Sequence, residues 1–459
     1  MAIAFGETFG KVRECFQEPA IESQVTTKLH SVTIIRDVYG KIRIFIEPKE
    51  GIKIEDADLT ELKKRLSQNL GPYYGEDIWL PQGENDAYKA LIEVIHQEKI
   101  SAEWDDHTLS PRWYILERHI AKVAWTNQES GNPPWSQEQV DNGNKPAIVT
   151  FFSFKGGVGR TTALVATALT LARHGHRVAM VDLDLEAPGL STILLQDTDN
   201  LTGAIDYLLE KPIYNEHNPK IEWPLPPHII QINKQTLLGD AGETLRLLPA
   251  GTLDNDYLEK LARLDFQNLA DNKLPETFRG MLKELNASER NLDFILLDAR
   301  AGFHDIGGLA IADLSHAAVI FGRQSSQTWA GLTHVIRRLG RAEKQGLPLV
   351  LVHAMAPSLG TPGRDLELKK FKDKAYQVFQ DNYYSQDQVV PNENDNDAPF
   401  TPVVVSWESS LWRDIHLFEM EQSQEQSISL SDVVTLLTKQ PYQEIANRLC
   451  RLFGRNLTT

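Results

Sequence analysis

The chain has 459 residues, of which 41% are apolar and 24% are charged, and its formal net charge is −16. This length predicts more than one domain, and the apolar content is typical of folded globular proteins. The acidic balance disfavours broad attraction to nucleic acid or to anionic membranes, although it allows a local basic patch. Cys15 and Cys450 stand at opposite ends, which excludes a disulfide framework and indicates a reducing, cytoplasmic setting. No run of 18 apolar residues is present, so we expect no membrane span.

Residues 1–125 are expected to form a small α+β domain. The runs SVTIIR and KIRIFI are rich in β-branched residues and are joined at residues 37–40, which predicts a hairpin. Leu59, Leu62 and Leu66 recur at helical spacing behind Asp58, which we interpret as the cap of that helix. A further helix is predicted over residues 111–125, PRWYILERHIAKVAW, with its apolar stripe packed in the domain's own core. No residue pattern here carries chemistry, so the domain is expected to bind a partner protein.

Residues 126–146 are polar and rich in Asn, Gly and Pro, which predicts a linker. From residue 147 onward, short runs that are apolar throughout alternate with helical patterns; among these runs are AIVTFF, RVAMVD, FILLD, AAVIF and LPLVLV. Such runs are typical of parallel strands covered on both faces. The predicted fold class is therefore α/β, a doubly wound and mostly parallel sheet over residues 147–459, preceded by the smaller α+β domain. In such sheets ligands bind at the carboxyl ends of the strands.

A glycine-rich loop, FFSFKGGVGRTT, directly follows the first of these strands. The common phosphate loop has a glycine, four residues and then Gly-Lys-Ser/Thr, whereas this loop has Phe154 at the first glycine position and Arg160 at the lysine position. Glycines let successive amides converge on an anion, and the helix that begins at once directs its positive dipole end at the same point. Arg160 keeps the positive charge in a planar fork, and Thr161 lies where a hydroxyl would bind Mg²⁺. The predicted phosphate-binding residues are Gly156, Gly157, Val158, Gly159, Arg160, Thr161 and Thr162.

The segment KGGVGRTT resembles the deviant Walker A loop of ParA/MinD-type P-loop ATPases of the SIMIBI class, whose pattern is KGGxGK[ST], and it is more similar still to a KGGVGR-variant branch. This family has no requirement for glycine at the position of Phe154. The resemblance implies ATP and Mg²⁺ as ligands and slow ATP hydrolysis. It also implies that Lys155 is a catalytic residue that reaches across an ATP-bound homodimer to the partner's phosphates.

Two later segments carry the same resemblance. VAMVDLDLEAPGLS resembles switch I, which implies that Asp184 orients the attacking water and that Asp182 supports the magnesium shell. DFILLDARAGFHD resembles Walker B and switch II, which implies that Asp298 holds magnesium through water. Arg300 and Gly302 replace the small-residue and proline run common there, and Gly302 is expected to present an amide to the γ-phosphate. From the residues alone, the aspartates could instead cap the turns that follow their strands.

These features support an ATP-dependent dimerisation switch whose N-terminal domain engages a partner protein. Family analogy places it in a bacterial antiviral defence or other multi-protein system. The alternative is a nucleotide-binding scaffold that does not hydrolyse ATP. A DNA-partitioning ATPase is disfavoured, because the basic helix HVIRRLGRAEK is interpreted as a solvated face. The C-terminal helix YQEIANRLCRLFGR is expected to pack on the sheet rather than to bind a membrane.

Overall fold

A computed structural model describes residues 3–81, 86–119, 121–127, 130–217, 224–240, 242–271, 274–288, 292–341, 346–411, 415–418 and 429–457. The chain divides into two compact units, the first ending at Ala121 and the second beginning at Lys122. Each unit has a hydrophobic core of its own.

The first unit is a five-stranded mixed sheet with helices. Its strands lie in the order β3-β2-β1-β5-β4. Its elements are α1 Thr8–Gln17, α2 Pro19–Gln24, β1 Leu29–Arg36, β2 Ile42–Pro48, α3 Asp56–Leu70, β3 Tyr74–Trp79, α4 Asp86–Glu98, β4 Ile100–Ser101 and β5 Arg112–Glu117. The antiparallel pair β1 and β2 confirms the predicted hairpin. Helix α3 begins after Glu55, so Asp58 lies in its first turn rather than at its cap.

The predicted helix over residues 111–125 is wrong. Residues Arg112–Glu117 form strand β5, which pairs in parallel with β1 and places Ile115 opposite Ile34. Four consecutive apolar residues, 113–116, fit a strand as well as a helix, and pairing with β1 decides between them. Helical structure in this segment is limited to the single turn Val123–Thr126, and Ile120 lies outside the described residues.

The second unit is an eight-stranded sheet flanked by helices, which confirms the predicted doubly wound, mostly parallel fold. The strand order is β13-β12-β11-β6-β10-β7-β9-β8, and every pairing is parallel except that of β8 with β9. The strands are β6 Ala147–Ser153, β7 Val178–Leu183, β8 Ile230–Ile232, β9 Leu245–Leu248, β10 Phe294–Ala299, β11 Ala317–Gly322, β12 Leu349–Ala356 and β13 Val403–Ser406. The helices are α5 Val123–Thr126, α6 Gln137–Asp141, α7 Arg160–Arg173, α8 Leu190–Leu194, α9 Ala204–His217, α10 Gln235–Leu238, α11 Asn255–Asp271, α12 Leu274–Ser288, α13 Asp305–Ala312, α14 Ser326–Arg341, α15 Arg364–Asn382, α16 Leu430–Leu437 and α17 Tyr442–Leu452.

The register of the central strands positions the site. Strand β10 lies between β6 and β7, and Asp298 is opposite Phe151 on one side and Asp182 on the other. Because the three strands are parallel, their carboxyl ends meet at one edge of the sheet. The loop after β6 and the acidic residues of β7 and β10 are therefore brought together there.

Residues 130–146 of the predicted linker pack on the second unit. The Trp135 indole donates a hydrogen bond to the Pro146 carbonyl, and Trp135 stacks on His316. One ring nitrogen of the buried His316 faces the Trp135 carbonyl, and the other accepts from the Ile148 amide. Burial lowers the pKa of His316 to about 4, so this histidine is neutral in the folded chain.

The C-terminal helix α17 packs into the second core, as predicted. Ile445 and Leu449 are fully buried, and the ring of Phe453 contacts that of Phe294. In the basic helix α14, Arg337 is exposed and binds Asn382, while Arg338 donates to the Ala124 carbonyl. Lys344 of the same predicted segment lies outside the described residues. Within the described ranges, no helix combines the length and apolarity that a membrane crossing requires.

Candidate nucleotide-binding site

The loop between β6 and α7 has the backbone of an anion-binding nest. Gly157 and Gly159 have φ angles of +70° and +77°, which side chains other than glycine rarely adopt. A Cβ at either position, or at Gly156, would meet nothing within 4 Å, so the backbone angle rather than crowding explains these glycines. Val158 is buried beneath the loop and anchors it. Helix α7 begins at Arg160 immediately after the loop, so its unpaired first-turn amides lie beside the nest, where they favour phosphate.

Arg160 bridges two carboxylates at the bottom of this site. Its Nε donates to Asp298 Oδ1 at 2.6 Å and its Nη2 donates to Asp184 Oδ2 at 2.7 Å. The residue is only 8% exposed. Burial acts to lower the pKa of Arg160, but the Asp298 and Asp184 carboxylates outweigh it and raise the pKa above its ordinary value. The guanidinium predicted to hold phosphates is therefore engaged by the carboxylates predicted to hold magnesium and to orient water.

Thr161 and Asp298 place a hydroxyl and a carboxylate side by side. The Thr161 hydroxyl donates to Asp298 Oδ2 at 2.7 Å, so both oxygens of this fully buried carboxylate are hydrogen-bonded. Burial raises the pKa of Asp298 and the Arg160 charge opposes that rise. A hydroxyl beside a carboxylate suits a hard cation, so these two residues fit Mg²⁺. Among the described residues, no three His, Cys, Asp or Glu side chains form a metal site on their own, so Mg²⁺ here would need further ligands from nucleotide or water.

Asp182 holds the segment that follows β7. Its Oδ1 accepts from the Asp184 amide at 3.2 Å, and its Oδ2 accepts from the amides of Gly189 and Leu190 at 3.1 and 3.0 Å. Burial, with the Asp298 charge nearby, raises the pKa of Asp182. Asp182 thus caps the turn that follows its strand, as in the alternative considered for the aspartates. A role for Asp182 in the magnesium shell stays a prediction.

Asp184 keeps one oxygen available. Its Oδ2 accepts from Arg160, whereas its buried Oδ1 accepts no hydrogen bond from the described residues. Arg300 Nη1 lies 3.8 Å from that oxygen. A carboxylate oxygen with free lone pairs at the edge of the nest can accept a proton or a hydrogen bond from a water molecule.

The two predicted switches are linked by ion pairs that the sequence did not reveal. We call residues 184–190 the switch I segment and residues 300–305 the switch II segment. Glu186 binds Arg300 Nη2 and His304 Nε2, each at 2.6 Å. Glu186 is the third acidic residue of the run DLDLE, which is the signal that could have identified it. Arg300 therefore connects the switch II segment to the switch I segment.

Gly302 has a φ of +81°, and its amide donates to the Ser153 carbonyl at 3.1 Å. That amide is already hydrogen-bonded to a residue of strand β6, so the predicted contact with a γ-phosphate would require this hydrogen bond to break. The same bond fixes the switch II segment against the start of the loop.

Phe154 anchors the start of the loop. Its ring lies 5.2 Å from that of Phe303, and a Cβ added at Gly331 of α14 would be 2.2 Å from a Phe154 ring atom. The ring is therefore seated against a glycine of the helix. Lys155 is half-buried, its Nζ lies 5.5 Å from the centre of the Phe154 ring, and it forms no ion pair with a described carboxylate. Thr162 is half-buried in the first turn of α7.

Comparisons with known proteins give a family match over this region. Residues 149–345 match the family model described as the CobQ/CobB/MinD/ParA nucleotide binding domain. A cytosolic Fe-S cluster assembly factor NUBP2 homolog from Trichoplax adhaerens is 34% identical over 84 residues, covering 18% of this chain and 31% of that protein. A putative septum site-determining protein MinD from Chlorella vulgaris is 27% identical over 175 residues, covering 38% of this chain and 49% of that protein. The chain thus spans less than half the length of both relatives.

Among solved structures, the chain is similar to the septum site-determining protein MinD complexed with Mg-ADP from Pyrococcus horikoshii OT3. The match has a TM-score of 0.41 and 18% identity, and it covers 67% of this chain and 98% of that chain. The residues matched by the family model contain the glycine-rich loop, both switch segments and Asp298.

Proposed function

We propose that the chain is an ATP-binding dimerisation switch that hydrolyses ATP slowly, since residues 149–345 match the CobQ/CobB/MinD/ParA nucleotide binding domain. The observation that carries the proposal is the Arg160 bridge between Asp298 and Asp184 beside an open glycine nest. It joins the groups expected to contact phosphate, metal and water in one buried network.

Each group has a task in this proposal. The loop amides and the start of α7 bind the phosphates, and Thr161 and Asp298 would hold Mg²⁺, which supplies charge neutralisation at the β- and γ-phosphates. Asp184 orients water through its free Oδ1. The Nε and Nη2 donors of Arg160 can reach a phosphate oxygen only after they release the buried carboxylates of Asp298 and Asp184. Breaking such an ion pair is costly, which supports slow turnover.

Lys155 supports the dimeric part of the proposal. Its ammonium has no carboxylate partner among the described residues and lies 5.5 Å from the centre of the Phe154 ring. It is therefore available to contact phosphates bound by a second copy of the chain, as the resemblance implies. The ATP state is accordingly proposed to be a homodimer.

A second candidate is a scaffold that binds nucleotide without hydrolysing it. The contact of Arg160 with Asp184 favours it, because a guanidinium that stays on this carboxylate weakens Asp184 as an acceptor for water. The two candidates share the nest and the Mg²⁺ ligands, and they differ in whether Arg160 moves.

The two-unit architecture gives each unit a separate role in the proposal. The first unit is proposed to bind a partner protein, in the cytoplasm and within a bacterial defence or other multi-protein system. A DNA-partitioning role is less favoured. Arg337 and Arg338 of the basic helix already bind groups within the chain, which reduces the charge left for DNA phosphates.

Single-turnover ATP hydrolysis and solution mass with ADP or ATP test the proposal. We expect ATP to double the mass of the wild type and to leave Lys155→Ala monomeric, with Lys234→Ala, which alters an exposed lysine of the same unit, behaving as the wild type. Asp184→Asn should bind ATP, accumulate as the dimer and release no phosphate above background.

The outcomes separate the candidates. ATP binding without phosphate release by the wild type would establish the scaffold in place of the switch. ATP binding with unchanged mass would refute dimerisation, and failure to bind ATP would refute both candidates.

A further inference from the structure

The first five residues of the second unit lie on the switch II segment. We call residues 122–126 the connector, because they follow Ala121, the last residue of the first unit. Lys122 has a left-handed backbone with φ +63°, which is uncommon for a residue with a side chain. The connector is thus held in a defined conformation at the point where the chain enters the nucleotide-binding unit.

Lys122 is bound to one carboxylate through two groups. Its ammonium contacts Asp305 Oδ2 at 2.7 Å, and its backbone N–H donates to the other oxygen of Asp305. Asp305 is the last residue of the switch II segment and the first residue of α13. A displacement of this end of the segment therefore breaks both contacts.

Trp125 binds the same segment one residue earlier. Its indole Nε1 donates to the His304 carbonyl at 2.8 Å, and its ring lies 5.3 Å from Phe303 and 5.4 Å from Phe152. A Cβ at Gly308 would be 2.5 Å from Nε1, so the glycine leaves the space that the indole occupies. The connector is therefore packed on the switch II segment as well as hydrogen-bonded to it.

The switch II segment is held from the nucleotide side by different atoms. The side chains of Arg300 and His304 bind Glu186 of the switch I segment. The ring of Phe303 contacts Phe154 at the start of the loop. The same six residues thus touch the loop and switch I on one side and the connector on the other.

We infer that the connector is the element through which nucleotide at the loop acts on the first unit. The inference rests on the proposed function, since it requires ATP to bind at the loop. An anionic γ-phosphate near Arg300 competes with Glu186 for the guanidinium. Movement of Arg300 toward the phosphate displaces the switch II segment from Glu186, so the His304 contact with Glu186 and the connector contacts at His304 and Asp305 weaken together. Coupling between two sites is reciprocal, so the connector contacts in turn oppose ATP binding.

Hydrogen exchange of the full chain measures the first half of this coupling. With ATPγS and Mg²⁺, we expect amides of residues 154–162 to gain protection and amides of residues 121–127 to exchange about fivefold faster or more. Protection at the loop with connector rates unchanged within about twofold would overturn the inference and leave the proposed function standing. No protection at the loop would refute the proposed function itself.

The ATPγS affinity of a variant without the Lys122 contacts tests the reciprocal effect of the connector on ATP binding. Asp305→Ala removes both Lys122 contacts, so we expect its Kd for ATPγS to fall about fivefold or more. Lys234→Ala serves as the control, with the Kd of the wild type. A far-ultraviolet spectrum and a melting curve like those of the wild type establish that Asp305→Ala is folded. A Kd within about twofold of the wild type in that folded variant would overturn the inference.

Discussion

Replacing Arg160 by methionine removes a guanidinium that neutralises two buried carboxylates and keeps a side chain of similar length. In the wild type the charged nitrogens lie 2.6 Å from Asp298 and 2.7 Å from Asp184, and the arginine side chain is 9% exposed. In Arg160→Met neither carboxylate retains a cation in hydrogen-bond contact. The folded variant can then hold an uncompensated buried charge or take up a proton from solvent.

Protonation sets the upper limit of the penalty. For a carboxyl with an ordinary pKa of about 3.9, neutralisation costs about 4 kcal/mol at pH 7 and about 1.5 kcal/mol at pH 5. Removal of one partner from a buried ion pair typically costs about 3–5 kcal/mol, and protonation caps the loss at about 4 kcal/mol at pH 7. We therefore expect Arg160→Met to lose about 3–4 kcal/mol of unfolding free energy at pH 7 and about 1–1.5 kcal/mol at pH 5.

The sign of this pH dependence follows from proton binding. Loss of the guanidinium removes the charge that opposes the burial-driven rise in the pKa of Asp298, so the folded variant holds a proton on Asp298 that the unfolded chain has released. The stability of the variant relative to the wild type accordingly falls as pH rises through the interval between the unfolded and folded pKa values. The double variant Arg160→Met, Asp298→Asn should regain part of the loss at pH 7, because one buried charge is gone.

The assay is the urea dependence of hydrogen exchange in β6 and β10, which reports the second unit alone. Arg263→Met is the matched control, because Arg263 is 61% exposed and pairs with Glu259 on the surface of α11. We expect it to change stability by less than about 0.5 kcal/mol at either pH. A loss below about 1 kcal/mol for Arg160→Met at pH 7, or equal losses at pH 7 and pH 5, would refute the reasoning.

Three further predictions concern the same unit. Thr161→Val removes a hydroxyl ligand, so we expect the gain in ATP affinity on adding Mg²⁺ to shrink about tenfold by calorimetry; an unchanged gain would contradict this. Gly331→Ala drives a methyl into Phe154 and should lower stability by about 1–3 kcal/mol in thermal unfolding, whereas Gly280→Ala on α12, where the new methyl would lie at an ordinary contact distance of 3.6 Å from the Tyr207 hydroxyl, should not be destabilising. The neutral folded state of His316 makes stability fall as pH decreases from the unfolded pKa of 6.5 to about 4, by about 1.4 kcal/mol per unit. Urea titrations of His316→Gln should therefore show a weaker dependence of unfolding free energy on pH over this interval. A pH dependence equal to that of the wild type would show that another group titrates.

The parallel sheet could be predicted because its strands are buried on both faces and are apolar throughout. The same property misled the prediction at residues 112–117, where the run Trp-Tyr-Ile-Leu fits either a helix or a strand and only pairing with β1 decides. The polar composition of residues 126–146 predicts a linker, whereas residues 130–146 pack on the second unit. Trp135 was the contrary signal, because a buried indole in a polar segment indicates packing.

The meeting of Thr161, Asp182, Asp184 and Asp298 could also be predicted from the sequence, because each lies at or just after the carboxyl end of a parallel strand, or at the start of the helix that follows one, and these ends converge. The direction of the Arg160 side chain could not be predicted from the sequence. A guanidinium beside a phosphate loop can face phosphate or carboxylate, and the choice depends on distances of a few ångströms that no spacing encodes. The contacts of Glu186 with Arg300 and His304 could not be predicted for the same reason, since they depend on how two loops lie against each other.

The seat of Phe154 on Gly331 has a consequence for how this loop can evolve. The two positions lie 177 residues apart in the chain, yet a bulky residue at one is compatible only with a hydrogen atom at the other. A lineage with a smaller residue at position 154 can accept larger residues at position 331, whereas substitution at 331 alone is destabilising while the phenylalanine remains. Among related chains these two positions should therefore change together, with the substitution at 154 preceding the one at 331.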